Sequence, residues 1–147
     1  MIDQHTQTNL SDEWLAALQA SGYRLTAPLR VLVVLLANSP RALEPVELYD
    51  LARREYPRMG LVTVYRTLDK LQELALVQRV HRVNGCHIYL RAAQGHEHVL
   101  LCSRCGRAVY FNGDDLSRLS ADLAQHTGFT IQEHWLQFLG LCGDCQS

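Results

Sequence analysis

The sequence predicts an α+β protein in two parts, an N-terminal winged helix-turn-helix domain followed by a small α/β domain, and three observations carry that prediction. Apolar residues recur at helical spacing through most of the chain up to residue 75. Residues 76–83 and 87–90 are β-prone runs joined at Asn84-Gly85, a strong hairpin signal. All five cysteines follow position 85, and four of them form two Cys-x-x-Cys turns.

The helical part reads as four segments. Ser11 is a good N-cap with Asp12 and Glu13 in the first turn, Leu15 and Leu18 give an apolar face, and Gly22 stops the segment. Thr26 caps a second helix that buries Leu29, Leu32, Val33 and Leu36 and ends near Asn38. A third starts at Glu44-Pro45, buries Leu48, Leu51 and Ala52, and stops at Pro57. A fourth lines up Val64, Leu68, Leu71 and Ala75. Helices followed by a hairpin give winged-helix order. Beyond it, residues 98–101 and 108–111 read as short strands around a Cys-x-x-Cys-Gly turn. Leu116, Leu119, Ser120 and Leu123 outline a helix ended by Gly128, and residues 130–141 read as one long strand. The expected boundaries are 1–90 for the first domain, 91–95 for a hinge and 96–147 for the second.

Composition narrows the function. With 147 residues, 48% hydrophobic and 20% charged, the chain is long enough for a core. Lys+Arg 14 against Asp+Glu 15 gives a net charge of -1, so any basic surface is local. No apolar run is long enough to span a bilayer and the first residues lack a signal-peptide pattern, so the expectation is a soluble, cytoplasmic protein without a membrane partner. A reducing compartment favours metal over disulfides at close Cys pairs.

Cys102-Ser103-Arg104-Cys105 and Cys142-Gly143-Asp144-Cys145 are the strongest signal. Each turn brings two sulfurs to one ion, and two turns complete a Cys₄ tetrahedron that leaves no open position, which reads as structural Zn²⁺, one per protomer. A redox dithiol is the competing reading. Zinc deaminases place a His-x-Glu before a Pro-Cys-x-x-Cys, whereas here the order is His96-Glu97-His98 and no Pro precedes either pair. GxSxG, GxxxxGK and HExxH are also absent, so neither catalysis nor a small-molecule substrate is expected.

Residues 53–66 hold Arg53, Arg54, Arg58 and Arg66 against Glu55 alone, a local basic patch. Helical spacing sets Thr63, Tyr65, Arg66 and Lys70 off the buried Val64/Leu68/Leu71 stripe, where hydroxyl, phenol and cationic groups suit phosphates and base edges. With a wing behind it, the fourth helix reads as a DNA-recognition helix. One such helix covers a short half-site, so a homodimer on a pseudopalindromic double-stranded operator follows.

Gly22-Tyr-Arg-Leu-Thr26, Thr63-Val-Tyr-Arg66, His96-x-His98 ahead of the first Cys pair, and Gly140-Leu-Cys-x-x-Cys145 occur in the order of the ferric uptake regulator family, which roughly residues 20–146 resemble. The resemblance implies a homodimeric, metal-sensing repressor of metal-uptake genes. It also implies a C-terminal dimerisation domain, a structural zinc and one or two regulatory metal sites. Tyr65 and Arg66 fall on the family's DNA-contacting positions. Arg30 and Arg58 join them as candidates, Leu29 standing where the family commonly has an Arg. Iron- and peroxide-sensing members carry a His, a carboxylate and a His where this chain has Ala42, Leu90 and Val99. The remaining donors are Cys86, His81, His96, Glu97 and His98, with His134 matching a further family metal site whose acid appears here as Ser117. Thiolate and imidazole suit Zn²⁺ better than Fe²⁺ or Mn²⁺. The closest resemblance is to the zinc-responsive branch. Cys86 as a plain buried thiol, and His87 as a ligand or a bystander, stay open. An ion shared by Cys86 and His81 with His96 and His98 would act as a hinge clamp. The alternatives are an iron- or peroxide-sensing member, and a zinc-ribbon interaction module without DNA binding.

Overall fold

The computed structural model describes residues 4–82, 84–113 and 116–147 and divides into two compact units, Met1–Ala92 and Ala93–Ser147. The first unit holds α1 (Gln4–Ala20), α2 (Ala27–Ala37), α3 (Pro45–Glu55), α4 (Leu61–Glu73), β1 (Val77–His81) and β2 (His87–Arg91). The second holds β3 (Glu97–Cys102), β4 (Ala108–Asn112), α5 (Ser117–Thr127) and β5 (Gln137–Gly140), then a short 3-10 turn at Gly143–Cys145.

Capping explains α2 and α3. The Thr26 hydroxyl accepts from Leu29 N–H at 3.4 Å, and Glu44 N–H donates to the Glu47 carboxylate at 3.0 Å ahead of Pro45. Leu29, Leu32, Val33, Leu36, Leu48, Ala52, Val64, Leu68 and Leu71 meet in one core, joined by Trp14, Leu18 and Met59. Each fully buried Leu or Val there contributes about 1.5–3 kcal/mol. The start of α1 departs from the expectation. The helix is already formed at Gln4, and Ser11 lies inside it, 5% exposed, rather than capping it. No Pro or Gly interrupts residues 4–10, and Leu10 packs against the core, so burial extends the helix past a good cap residue.

Gly22 ends α1 in the left-handed region at φ +88, with Tyr23 N–H donating to Leu18 C=O and Gly22 N–H to Gln19 C=O. The same bond pattern ends α4, where Leu76 N–H donates to Leu71 C=O and Ala75 N–H to Gln72 C=O. Ala75 therefore belongs to no buried stripe. It occupies the left-handed position at φ 55 and is exposed.

β1 and β2 pair antiparallel from Val77↔Arg91 to His81↔His87. The expected extension of the first run to Val83 lies outside the described residues. Leu43 and Tyr89 exchange backbone bonds of 2.8 Å each way, and Arg82 reaches Glu44 at 3.2 Å, which ties the hairpin to the start of α3.

In the second unit the sheet order is β4-β3-β5, with β3/β4 antiparallel and β3/β5 parallel. The long strand expected over 130–141 shortens to Gln137–Gly140, where ladder pairing with β3 starts at Val99↔Gln137; among the described residues, those of 130–136 form no ladder. Gly128 ends α5 at φ +73 as expected, yet no residue of α5 is buried.

Candidate metal centre and nucleic-acid interface

The strand register brings the two Cys pairs together. Parallel pairing places Gly140 opposite Cys102, and Ser103 N–H donates to Gly140 C=O at 2.8 Å, so the chain leaving β5 delivers Cys142 to the first turn. That turn is closed by Gly106 N–H to Cys102 C=O at 3.0 Å, and the second by Cys145 N–H to Cys142 C=O at 2.9 Å. The four Sγ atoms lie within 4.8 Å of one another, and Cys105 Sγ is 3.7 Å from Cys142 Sγ. A tetrahedral zinc–thiolate shell with bonds of about 2.3 Å has edges of about 3.8 Å, so the four thiols fit Zn²⁺. Backbone N–H groups of Cys105 and Cys142 aim at the Cys102 sulfur and bring its thiol down to about 5, poised as thiolate. Hydrogen bonding to the Cys142 thiol, with burial, pushes Cys145 up to about 12.

On α4, Val64, Leu68 and Leu71 seal the core together with Thr67, which the apolar pattern did not reveal. Tyr65 and Arg66 are exposed, and Thr63 is half-buried near the helix start. Leu61 and Val62 are exposed as well, at 39% and 62%. The helix opens at Gly60 with no side-chain cap, so its first N–H groups face outward as anion donors. Arg30 and Arg58 are exposed. Lys70 differs, being half-buried with its Nζ 5.0 Å from the Tyr23 ring centroid.

The expected regulatory donors are more dispersed. His96 does not share a strand face with His98, since it sits in the turn before β3 and is exposed, whereas His98 is 4% exposed within β3. The backbone closes there through Glu97 N–H to Gln94 C=O, and β3 begins only after His96. The Glu97 carboxylate accepts from Gln94 N–H at 3.1 Å. The His98 ring lies 5.8 Å from those of Phe111 and of His134, which is itself exposed. Cys86 is exposed at the hairpin loop, so it is not a buried thiol. His81 faces His87, Nδ1 to Nδ1, at 3.3 Å. Among the described residues, only the four cysteines bring three or more ligand atoms within range of one ion.

A family model described as the ferric uptake regulator family matches residues 20–139. This chain belongs to the ferric uptake regulator family. The ferric uptake regulation protein of Bacillus subtilis (strain 168) is 35% identical over 142 residues, covering 93% of this chain and 95% of its own. The zinc uptake regulation protein of Mycobacterium tuberculosis (strain H37Rv) is 32% identical over 130 residues, covering 88% and 100%. Among solved structures, the Vibrio cholerae ferric uptake regulator superposes with a TM-score of 0.68 at 27% identity, over 86% of this chain and 98% of that one. The Helicobacter pylori regulator, at 18% identity and a TM-score of 0.72 over 96% and 94%, shows the same fold. Members of the ferric uptake regulator family are metal-responsive transcription regulators, not enzymes.

One structural residue escaped the sequence reading. Gly113 lies so close to His98 that a Cβ there would be 2.4 Å from the ring Cδ2. Only tertiary packing reveals that contact. A two-residue turn at Asn84-Gly85 would set residue 88 across from His81, whereas Arg82 N–H donates to Cys86 C=O and the ladder pairs His81 with His87.

Proposed function

We propose that this family member is a zinc-responsive, homodimeric repressor that acts in the cytoplasm on a pseudopalindromic DNA operator of metal-uptake genes. The observation that carries the DNA-binding part is the two-sided character of α4: Val64 and Leu68 are fully buried while Tyr65 and Arg66, between them in sequence, stand in solvent. Arg66 suits guanine edges or phosphate, Tyr65 a phosphate, and exposed Val62 a thymine methyl. Thr63 at the helix start, with Arg30 and Arg58, supplies further phosphate contacts in this reading, and Lys70 a lesser one.

Dimerisation is supported by what the second unit leaves uncovered. Register aligns Val109, Leu100 and Phe138 in a row across one sheet face, each 44–48% exposed, and Leu119 and Leu123 of α5 are 56% and 48% exposed. Cys102, Cys105, Cys142 and Cys145 are proposed to hold the structural zinc. Its chemistry is to cross-link the end of β3 to the C-terminal turn.

The regulatory ion is assigned to His98, His134, His96 and Glu97 of the second unit. A donor set dominated by imidazole suits Zn²⁺. The buried, apolar Ala42 and Leu90, 1% and 4% exposed where iron sensors carry donors, support the same choice.

The test is a Tyr65→Ala/Arg66→Ala protein, assayed on DNA selected by the zinc-loaded wild type from a random duplex pool. It should remain dimeric with its Cys₄ zinc and lose operator binding. Its residual salt dependence should be shallower by about 0.9 in log–log slope for each phosphate contact removed. Unchanged affinity would remove the repressor reading.

A further inference from the structure

We infer that His81 and His87 form a divalent-cation site of their own on the hairpin, taking a nitrogen-preferring ion such as Zn²⁺ through their two Nδ1 atoms. They are directly opposed in the β1/β2 ladder, the last strand pair before the loop, and therefore project from the same face. Their Nδ1 atoms are 3.3 Å apart, with ring centroids at 4.8 Å and ring planes at 54°. A tetrahedral zinc ion with Zn–N bonds of about 2.0–2.1 Å needs neighbouring nitrogens about 3.3–3.4 Å apart, so the pair is spaced as two ligands of one ion. Without metal, one of the facing nitrogens carries the single proton they share; with metal, both Nδ1 lone pairs bind the ion, the ring that held that proton carries it on Nε2 instead, and the other ring keeps its own there.

The site is open. His81 is exposed and His87 half-buried, which leaves the outer coordination positions to water. Cys86 is not its third ligand. It lies outside β2 with its N–H held by Asn84 Oδ1 at 3.1 Å, and among the described residues it joins no group of three donors within range of one ion. Arg79, exposed on the same face two residues before His81, opposes a cation there. The ion therefore binds more weakly than at four thiolates, and it staples the two strands at the loop end. This site uses neither His96 nor His98, so it stands whether or not the regulatory reading does.

The experiment titrates ZnCl₂ into protein already loaded at the Cys₄ site, followed by calorimetry and by imidazole ¹⁵N spectra. In wild type, Nδ1 of His81 and of His87 should shift together into the metal-bound range while both Nε2 stay protonated. The matching calorimetric event should be absent from His81→Gln and from His87→Gln, and kept in Cys86→Ser and in His96→Ala/His98→Ala. Absence of the paired ¹⁵N shift in wild type overturns the site. So does an event that survives His87→Gln or disappears in Cys86→Ser. Loss of zinc-dependent DNA binding in His96→Ala/His98→Ala bears on the regulatory reading alone.

Discussion

The Lys70 ammonium lies over the Tyr23 ring, 5.0 Å from its centroid, and the Tyr23 hydroxyl donates to Glu73 at 3.3 Å. Two α4 side chains one turn apart thus grip the residue that follows α1. Lys70 is held against Tyr23, so under the proposed function Lys70→Ala should weaken operator binding less than Arg66→Ala, measured by fluorescence anisotropy.

Burial, and then the Glu73 carboxylate, raise the Tyr23 phenol above its ordinary 10. A raised value means that the neutral form is favoured in the fold. The stabilisation is complete below pH 10 and is lost as pH rises through the folded value. Thermal melts of Tyr23→Phe should show a shallower alkaline decline than wild type, and ultraviolet titration should find one late-ionising tyrosine fewer.

Glu47 has the opposite sign. Partial burial raises its carboxyl, but the Glu44 N–H bond and the Arg41 guanidinium at 3.1 Å outweigh it and hold the group below 4.5. Its contribution is present above pH 4.5 and is lost as pH falls through the lower folded value. Glu47→Gln keeps an acceptor for Glu44 N–H and loses the charge. Because the ion pair is partly solvated, the cost at neutral pH should be at most about 0.5 kcal/mol, and the acid limb of a denaturation series should flatten.

Ala75 carries the left-handed conformation that glycine adopts without steric penalty. Ala75→Gly should therefore stabilise the protein by about 0.5–1 kcal/mol, read from urea unfolding with an unchanged m-value.

The contrast between α1 and α2 shows what was legible in the chain. Thr26, Pro45 and the Leu29/Leu32/Val33/Leu36 stripe are local signals, and local hydrogen bonds decide those helices. Ser11 is an equally good cap by composition, but Leu10 packs against the core and Ser11 is buried, so the helix runs through it. The Cys₄ cluster was legible because each pair needs only a turn. The placement of His96, one residue before β3, depends on where pairing with β4 begins, and spacing in the sequence carries no such information.

Gly113 is the point where packing controls a candidate ligand. An added Cβ would lie 2.4 Å from Cδ2 and 2.9 Å from Nε2 of His98, so the ring must move. Gly113→Ala should lower regulatory zinc affinity by about 10- to 100-fold, the range seen when groups supporting a metal ligand are disturbed. The Cys₄ zinc should remain. Gly140→Ala, with nothing within 4 Å of the added carbon, is the matched control.

The most direct measurement is operator affinity across buffered free Zn²⁺ for wild type and for His96→Ala/His98→Ala, each verified as dimeric with its Cys₄ zinc bound. Coupling between a regulatory ion and DNA of about 1–3 kcal/mol predicts that zinc tightens wild-type binding by roughly 5- to 150-fold, and that operator DNA tightens zinc binding by the same factor. The variant should bind DNA weakly at every zinc level. A variant that still responds to zinc as wild type does would contradict the account.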